Sequence, residues 1–260
     1  MGSKINRIGE ENINTFGGKM IITRYKTNSD IDVYFPEYDW IAKNVQYVHF
    51  KKGNIKCPYE RRVYGIGYLG EGKYKAYENG KTTKCYDAWK RMLQRCYDPK
   101  FHEKEPTYID CKVDEEWLCF QNFAEWFYNN YYEIEGERIA LDKDILHRNN
   151  KIYSPNNCIF VPERINTLFI KCDSVRRDCP VGVYYHKRYK KFVAHCSIYD
   201  FEENKSNRKY LGLYDTPKQA FEVYKQYKEK NIKDVADYYK EQIPNELYQA
   251  LYKYEVNISD

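Results

Sequence analysis

Apolar positions along this chain change period several times, and each change marks an element. Ile21, Ile22 and Tyr25, then Ile31, Val33 and Phe35, fall on alternating or near-alternating positions, the spacing of strands with one buried face. This pattern predicts strands over 19–25, 30–35 and 44–50, separated by Asn28-Ser29-Asp30 and followed by Lys51-Lys52-Gly53-Asn54. Trp89, Met92, Leu93 and Cys96 share one face at helical spacing and predict a helix over 86–97. Trp117, Phe120, Phe123, Ala124 and Phe127 do the same and predict a helix over 114–131, with Asp114 as N-cap. Ile159-Phe160-Val161 reads as a short buried strand, and Pro162 opens a helix reaching 169. Strands follow over 183–187, 191–199 and 207–214. Thr216-Pro217-Lys218-Gln219 then places Thr at the N-cap, Pro at N1 and Gln at N3, a capping box. The helix it starts is expected to bury Ala220, Val223, Tyr224 and Tyr227. A helical tail runs on to about Tyr254, broken near Pro244.

Between these elements, 1–18 is polar and Gly-bearing, an arm. Residues 58–72 carry four glycines and read as a linker, and 173–178 is a charged one. A hairpin is expected at Glu78-Asn79-Gly80. The class is α+β. A small β-barrel-like domain occupies 19–70, a central core 71–172, and a three-stranded antiparallel sheet with a helix and helical tail 173–260.

Composition adds charge asymmetry. The 260 residues carry a net charge of +5, but 103–145 holds 12 acidic and 4 basic residues, whereas 171–230 holds 14 basic and 8 acidic. A polyanionic partner is therefore expected at the C-terminal part. Tyr occurs 29 times, supplying rings with polar tips that suit small cores and nucleic-acid surfaces alike. The nine cysteines include no CxxC pair, which disfavours a zinc ribbon or knuckle and fits reduced, mostly buried thiols. The first 18 residues have no secretory pattern, and no apolar run approaches the length of a membrane span. A cytoplasmic location, in a bacterial host cell, is expected, with no membrane partner.

In the C-terminal module one sheet face is left without a helix. Tyr185, Lys187, Arg188, Lys190, Lys191, His195, Arg208 and Lys209 supply cations and flat rings there. A ribbon of this width fits the major groove of B-DNA, so double-stranded DNA is the expected partner. The run Gly182-Val183-Tyr184-Tyr185-His186-Lys187, then Lys191-Phe192-Val193-Ala194, Tyr210-Leu211-Gly212 and Tyr214-Asp215-Thr216-Pro217, with Ala220 and Tyr224, resembles the Apetala/ethylene-response-factor DNA-binding domain. The resemblance spans roughly 50 residues and implies a sheet that reads the major groove. The acidic loop 200–207 departs from that pattern.

Leu141-Asp142-Lys143-Asp144-Ile145, Asn149-Asn150, Tyr153-Ser154-Pro155-Asn156-Asn157-Cys158-Ile159-Phe160-Val161, Glu163 and Asn166 are similar to the ββα core of HNH endonucleases. In phage and mobile-element proteins such a core often accompanies an Apetala-like domain. The resemblance implies Asp142 and Asn166 as ligands of Mg²⁺ or Mn²⁺, and Asn157 as the asparagine that fixes the hairpin. Lys143 stands where the general-base histidine belongs, and a protonated lysine cannot accept a proton. Three readings of this departure stay open: a scaffold retained for DNA contact, a core in which Asp144 or His147 supplies the base, or a likeness of structure only. The expected function is a DNA-binding protein of phage or mobile-element origin, acting as a site-directed, homing-like endonuclease. The alternative is a catalytically degenerate DNA-binding regulator or counter-defence protein with no cofactor, and a third class is a protein-binding adaptor.

Overall fold

The computed structural model describes residues 6–169, 179–201 and 205–258. The predicted linker 173–178 and part of the predicted acidic loop, 202–204, lie outside the described residues. The architecture is mixed α+β with several small sheets. The chain divides into two compact units, residues 1–129 and 130–260.

The first unit opens with a four-stranded antiparallel meander, β1 (Glu11–Ile13), β2 (Lys19–Thr27), β3 (Asp30–Phe35) and β4 (Trp40–Val45), in that spatial order. Strict alternation in β3 buries Ile31, Val33 and Phe35 completely, together with Met20 and Ile22 of β2. The expected barrel does not form. The meander stays open, with β1 and β4 as its two edges. Nor is 6–18 a loose arm. Asn14 is buried, and its Oδ1 accepts the backbone N–H of Phe16 and Gly18 while its Nδ2 donates to the Ile55 carbonyl and to Glu60. One asparagine thereby ties β1 and the turn after it to the following segment, a long-range arrangement invisible in a polar run. The predicted strand over 44–50 is a second correction. Asn44 is left-handed (φ 55°) within β4, the strand ends at Val45, and Tyr47–Lys51 forms α1, which buries Phe50.

The glycine-rich 58–72 segment is packed rather than a free linker. The Tyr68 N–H donates to the Leu118 carbonyl at 3.0 Å, and the Phe120 N–H donates to the Tyr68 carbonyl at 2.9 Å. A Cβ on Gly67 would meet Leu93 Cδ1 at 2.4 Å, so only glycine lets the backbone lie on this core. The hairpin forms as expected, with β5 (Tyr77–Glu78) and β6 (Lys81–Thr82) joined by Asn79 and Gly80, both at positive φ. Helix α2 (Lys84–Tyr97) is capped by the Thr83 hydroxyl, which accepts from the Tyr86 N–H, and buries Trp89, Met92, Leu93 and Cys96. Short α3 (Pro99–His102) and strand β7 (Lys112–Val113) follow. The helix predicted over 114–131 is broken: a 3₁₀ turn at Glu115–Leu118 gives way to extended Cys119, and α4 (Phe120–Asn130) begins anew. The break frees the Leu118 carbonyl and Phe120 N–H for Tyr68, a tertiary pairing that outweighs the helical periodicity.

In the second unit, β8 (Ile139–Asp142) leads through a loop and short β9 (Ile152–Tyr153) to β10 (Ile159–Pro162). Strand β8 pairs antiparallel with β10, Asp142 opposite Ile159, and α5 (Glu163–Thr167) packs on both strands. Beyond it lies the antiparallel sheet β11 (Val183–His186), β12 (Lys191–Asp200) and β13 (Lys205–Tyr214), backed by α6 (Pro217–Tyr239), with α7 (Asn245–Tyr252) packed on α6. The predicted capping box is present at Thr216 and Gln219. Helix α6 buries Ala220, Phe221 and Tyr224, whereas Tyr227, expected inside, is exposed. Val183, Ala194 and Cys196 of the sheet share one core with Ile159, Val161 and Ile165 of the β8–β10–α5 layer and with Ile232, Val235, Leu247 and Leu251 of the two helices. The two segments that the sequence separates at 172/173 are therefore built around a common interior. Glu137 reinforces the junction: it accepts from the Tyr239 hydroxyl at 2.7 Å and pairs with Arg164 at 3.0 Å.

Candidate functional site

Two groups of predicted residues lie in the second unit. The first gathers around the end of β8. Asp142 is the last residue of that strand, and its Oδ1 accepts the backbone N–H of Asp144 at 2.9 Å and of Ile145 at 2.7 Å. These bonds turn the chain out of the sheet, an Asx-type turn that needs a short side chain with an acceptor. Burial, and the neighbouring Asp144 carboxylate, push the Asp142 carboxyl up to about 6. Lys143 is buried, with its Nζ 2.9 Å from Asp144 Oδ2 and 5.8 Å from the centre of the Tyr153 ring. An ammonium so withdrawn from water needs that carboxylate to remain charged. Asn150 then clasps the loop, donating to the carbonyls of Lys143 and Ile152, each at 2.7 Å. Asn157 donates to Asn150 Oδ1 at 3.3 Å. His147 is exposed on the same loop, and Asn166 is half-buried on α5. The neighbouring Arg148 donates to the Glu255 carbonyl at 2.9 Å, so the C-terminal segment anchors the loop from outside.

The structure thus brings Asp142, Lys143 and Asp144 together and leaves His147 outside that group. Among the described residues, no group of three or more His, Cys, Asp or Glu side chains is spaced to hold a metal ion. Two carboxylates are the kind of hard oxygen donors that Mg²⁺ and Mn²⁺ take. The fit is nevertheless poor, because the Lys143 ammonium is already the cation paired with Asp144.

The second group lies on the three-stranded sheet. Its register pairs Val183 with Ala194, Tyr184 with Val193, His195 with Tyr210, Cys196 with Lys209 and Ser197 with Arg208. Residues opposite one another share a face. Ala194 and Cys196 enter the core under α6, so Tyr184, His195, Arg208 and Tyr210 stand on the other face. That face meets solvent: Tyr184 is 42% exposed and Tyr210 61%. A bulge after Ala194 keeps the parity, with Gly212 at φ 128° opposite Ala194 and Leu211 turned back to the core. A Cβ at Gly212 would stand 2.9 Å from the Tyr214 hydroxyl oxygen.

On the exposed face Arg208 Nη2 lies 2.7 Å from His195 Nε2, and its guanidinium carbon is 5.8 Å from the Tyr184 ring centre. The His195 and Tyr184 rings meet edge-on at 5.5 Å. Burial, with Arg208 alongside, holds the His195 imidazole below its ordinary value. At one end of the sheet the β11–β12 turn exposes Lys187, Arg188 and Lys190, with Tyr189 stacked on His186 at 4.6 Å. Lys191 pairs with Asp215 at 3.1 Å. The remaining two predicted contacts, Tyr185 and Lys209, face α6: Tyr185 packs on Phe192, and Lys209 Nζ lies 5.0 Å from the Tyr227 ring centre. Tyr184 and Tyr210, not among the expected contacts, stand on the face away from α6 instead, although Tyr185 and Lys209 are exposed as well. Period-two counting from His195 reaches Tyr199 and Val193 on its own strand, but assigning Tyr184 and Tyr210 to its face requires the cross-strand register.

Seven of the eight described cysteines are buried. No helix among the described residues is long and apolar enough to cross a membrane. Comparison with protein-family models, with curated proteins and with solved structures finds no match to this chain.

Proposed function

We propose that this chain binds double-stranded DNA through the exposed face of β11–β13, as the domain resembling the Apetala/ethylene-response-factor family implies. The observation that carries this reading is the composition of that face: Arg208, 5.8 Å from the ring centre of exposed Tyr184 and on the same face as exposed Tyr210, with Lys187, Arg188 and Lys190 on the adjoining turn. Helix α6 occupies the other side, so the ribbon is free to enter a groove. The turn cations meet phosphates and fix position, while Arg208, on a strand, meets base edges. The protein is a DNA-binding factor of phage or mobile-element type, working in the cytoplasm of a bacterial host. The test is to incubate the full chain with a randomised duplex library and sequence the retained fraction. Enrichment of one motif, lost in Arg208→Ala, is the expected result. Retention of no duplex at low salt, or enrichment indifferent to Arg208, overturns the reading.

A second reading, a metal-dependent HNH-type endonuclease, is favoured by one observation. Asp142 ends the first strand of a β–loop–β–helix unit with a half-buried carboxyl held well above the ordinary aspartate range. Mg²⁺ or Mn²⁺ would have to displace Lys143 from Asp144 to bind there, with Asn166 on α5 as the further ligand that the resemblance implies. Nicking of the enriched duplex in Mn²⁺, lost in Asp142→Ala, supports it. If neither ion produces cleavage of that duplex, the core is a non-cutting scaffold joined to the DNA-reading sheet, as in a regulator or counter-defence protein.

A further inference from the structure

On the exposed face, the contact between His195 and Arg208 has a chemical requirement that fixes the state of the imidazole. A guanidinium carries only donors, so the nitrogen it meets at 2.7 Å must accept. His195 is therefore neutral, with its proton on Nδ1. That Nδ1 is buried and has no hydrogen-bond partner among the described residues, an arrangement that costs free energy in either tautomer, and the opposite tautomer would give up Arg208 as well. The titratable and charged groups facing the ring are Tyr184 from β11 and Arg208 and Tyr210 from β13, while α6 lies behind the strand. Protonation would set two donors, both cationic, against each other across the 2.7 Å contact.

We propose that His195 is a positioning residue: as a neutral imidazole it accepts the Arg208 guanidinium through Nε2 and fixes it, beside Tyr184, in the orientation that discriminates one base sequence from another. Nη2 is engaged by His195, which leaves the remaining guanidinium edge free to donate in a fork to a guanine O6/N7 pair. Protonated His195 releases Arg208, and binding then rests on the phosphate contacts of Lys187, Arg188 and Lys190, which carry no sequence information. The inference rests on the DNA-binding reading given above and adds a pH-dependent specificity to it.

The test compares affinity for the enriched duplex and for a scrambled one, at constant ionic strength, from about pH 7.5 to about pH 5. In the wild-type chain the ratio of the two affinities falls by about tenfold as His195 protonates. His195→Phe, which has no acceptor, loses about fivefold or more of that ratio at the upper pH and shows no pH dependence. His195→Gln keeps an acceptor that does not titrate, so the ratio stays high and flat. In an Arg208→Ala background His195→Phe has no further effect. If the wild-type chain instead binds both duplexes more tightly as pH falls, with the ratio unchanged, His195 is a phosphate contact and the inference is wrong. A ratio unaltered in His195→Phe overturns it equally. Imidazole titration by NMR separates this failure from that of the parent reading. Arg208→Ala raises the His195 pKa if the two are in contact. Intact coupling with retention of no duplex sinks the DNA reading, and the role assigned to His195 falls with it. Retention of duplex with no coupling sinks the His195 role alone.

Discussion

Asp142 holds two backbone N–H groups with one oxygen, so its charge and its turn geometry can be separated by experiment. Because its carboxyl is raised to about 6, the protonated form is the one the folded state prefers. The stabilising contribution is present below the ordinary aspartate range and is lost as pH rises through about 6. Asp142→Asn keeps an oxygen for the turn and removes the charge. In chelator, the variant should match the wild type near pH 4 and exceed it near pH 7.5 by on the order of 1 kcal/mol, read from urea unfolding. A variant less stable than the wild type at the higher pH would show that the ionised carboxylate is what the site needs. Gly182 is the second such position. Its φ is 74°, and a Cβ there would lie 2.1 Å from the Tyr224 ring, which is itself buried against the sheet. Gly182→Ala should cost roughly 2–4 kcal/mol, because neither the backbone nor a packed ring can give way cheaply. The resemblance picks out this glycine by its place in a motif; its physical reason is the approach of α6 to β11.

At the level of elements, the start of α6 was legible and strand partners were not. Thr216, Pro217 and Gln219 announce α6 because a cap is a local arrangement of four residues. Thr216→Ala removes a hydroxyl that accepts the Gln219 N–H, and about 1 kcal/mol of stability should go with it by thermal or denaturant unfolding. Thr216→Ser should retain most of it. Conversely, the helix predicted through Cys119 fails because the Tyr68 backbone, some fifty positions upstream in the chain, claims the groups that would continue it. The strand predicted at 44–50 fails because β4, irregular at left-handed Asn44, ends at Val45 and α1 takes over from Tyr47. Local periodicity carries no information about such distant or single-residue events.

At the level of the whole molecule, charge divides by role. The acidic stretch 103–145 and the basic stretch 171–230 give a modest net charge of +5, and only the second presents a cationic turn beside an exposed sheet face. Replacing Lys187, Arg188 and Lys190 together by serine should weaken DNA binding for all sequences alike and reduce the slope of log affinity against log salt by about 2–3. A loss confined to the enriched duplex would instead place base recognition in the turn. The sequence by itself determined the α+β class, the order of most elements, the caps of α6 and the packed faces of α2 and α4, because hydrophobic period and capping chemistry act over a few residues. It also brought Asp142, Lys143 and Asp144 to one loop by simple adjacency. Only the tertiary structure decided that the N-terminal sheet stays open, that the β8–β10–α5 layer and the three-stranded sheet share one core, and that Lys143 turns inward onto Asp144. It alone separated Arg208, His195, Tyr184 and Tyr210 from Lys209 and Tyr185, since a strand's side chains alternate between faces and the bulge at Gly212 sets which residues meet across it.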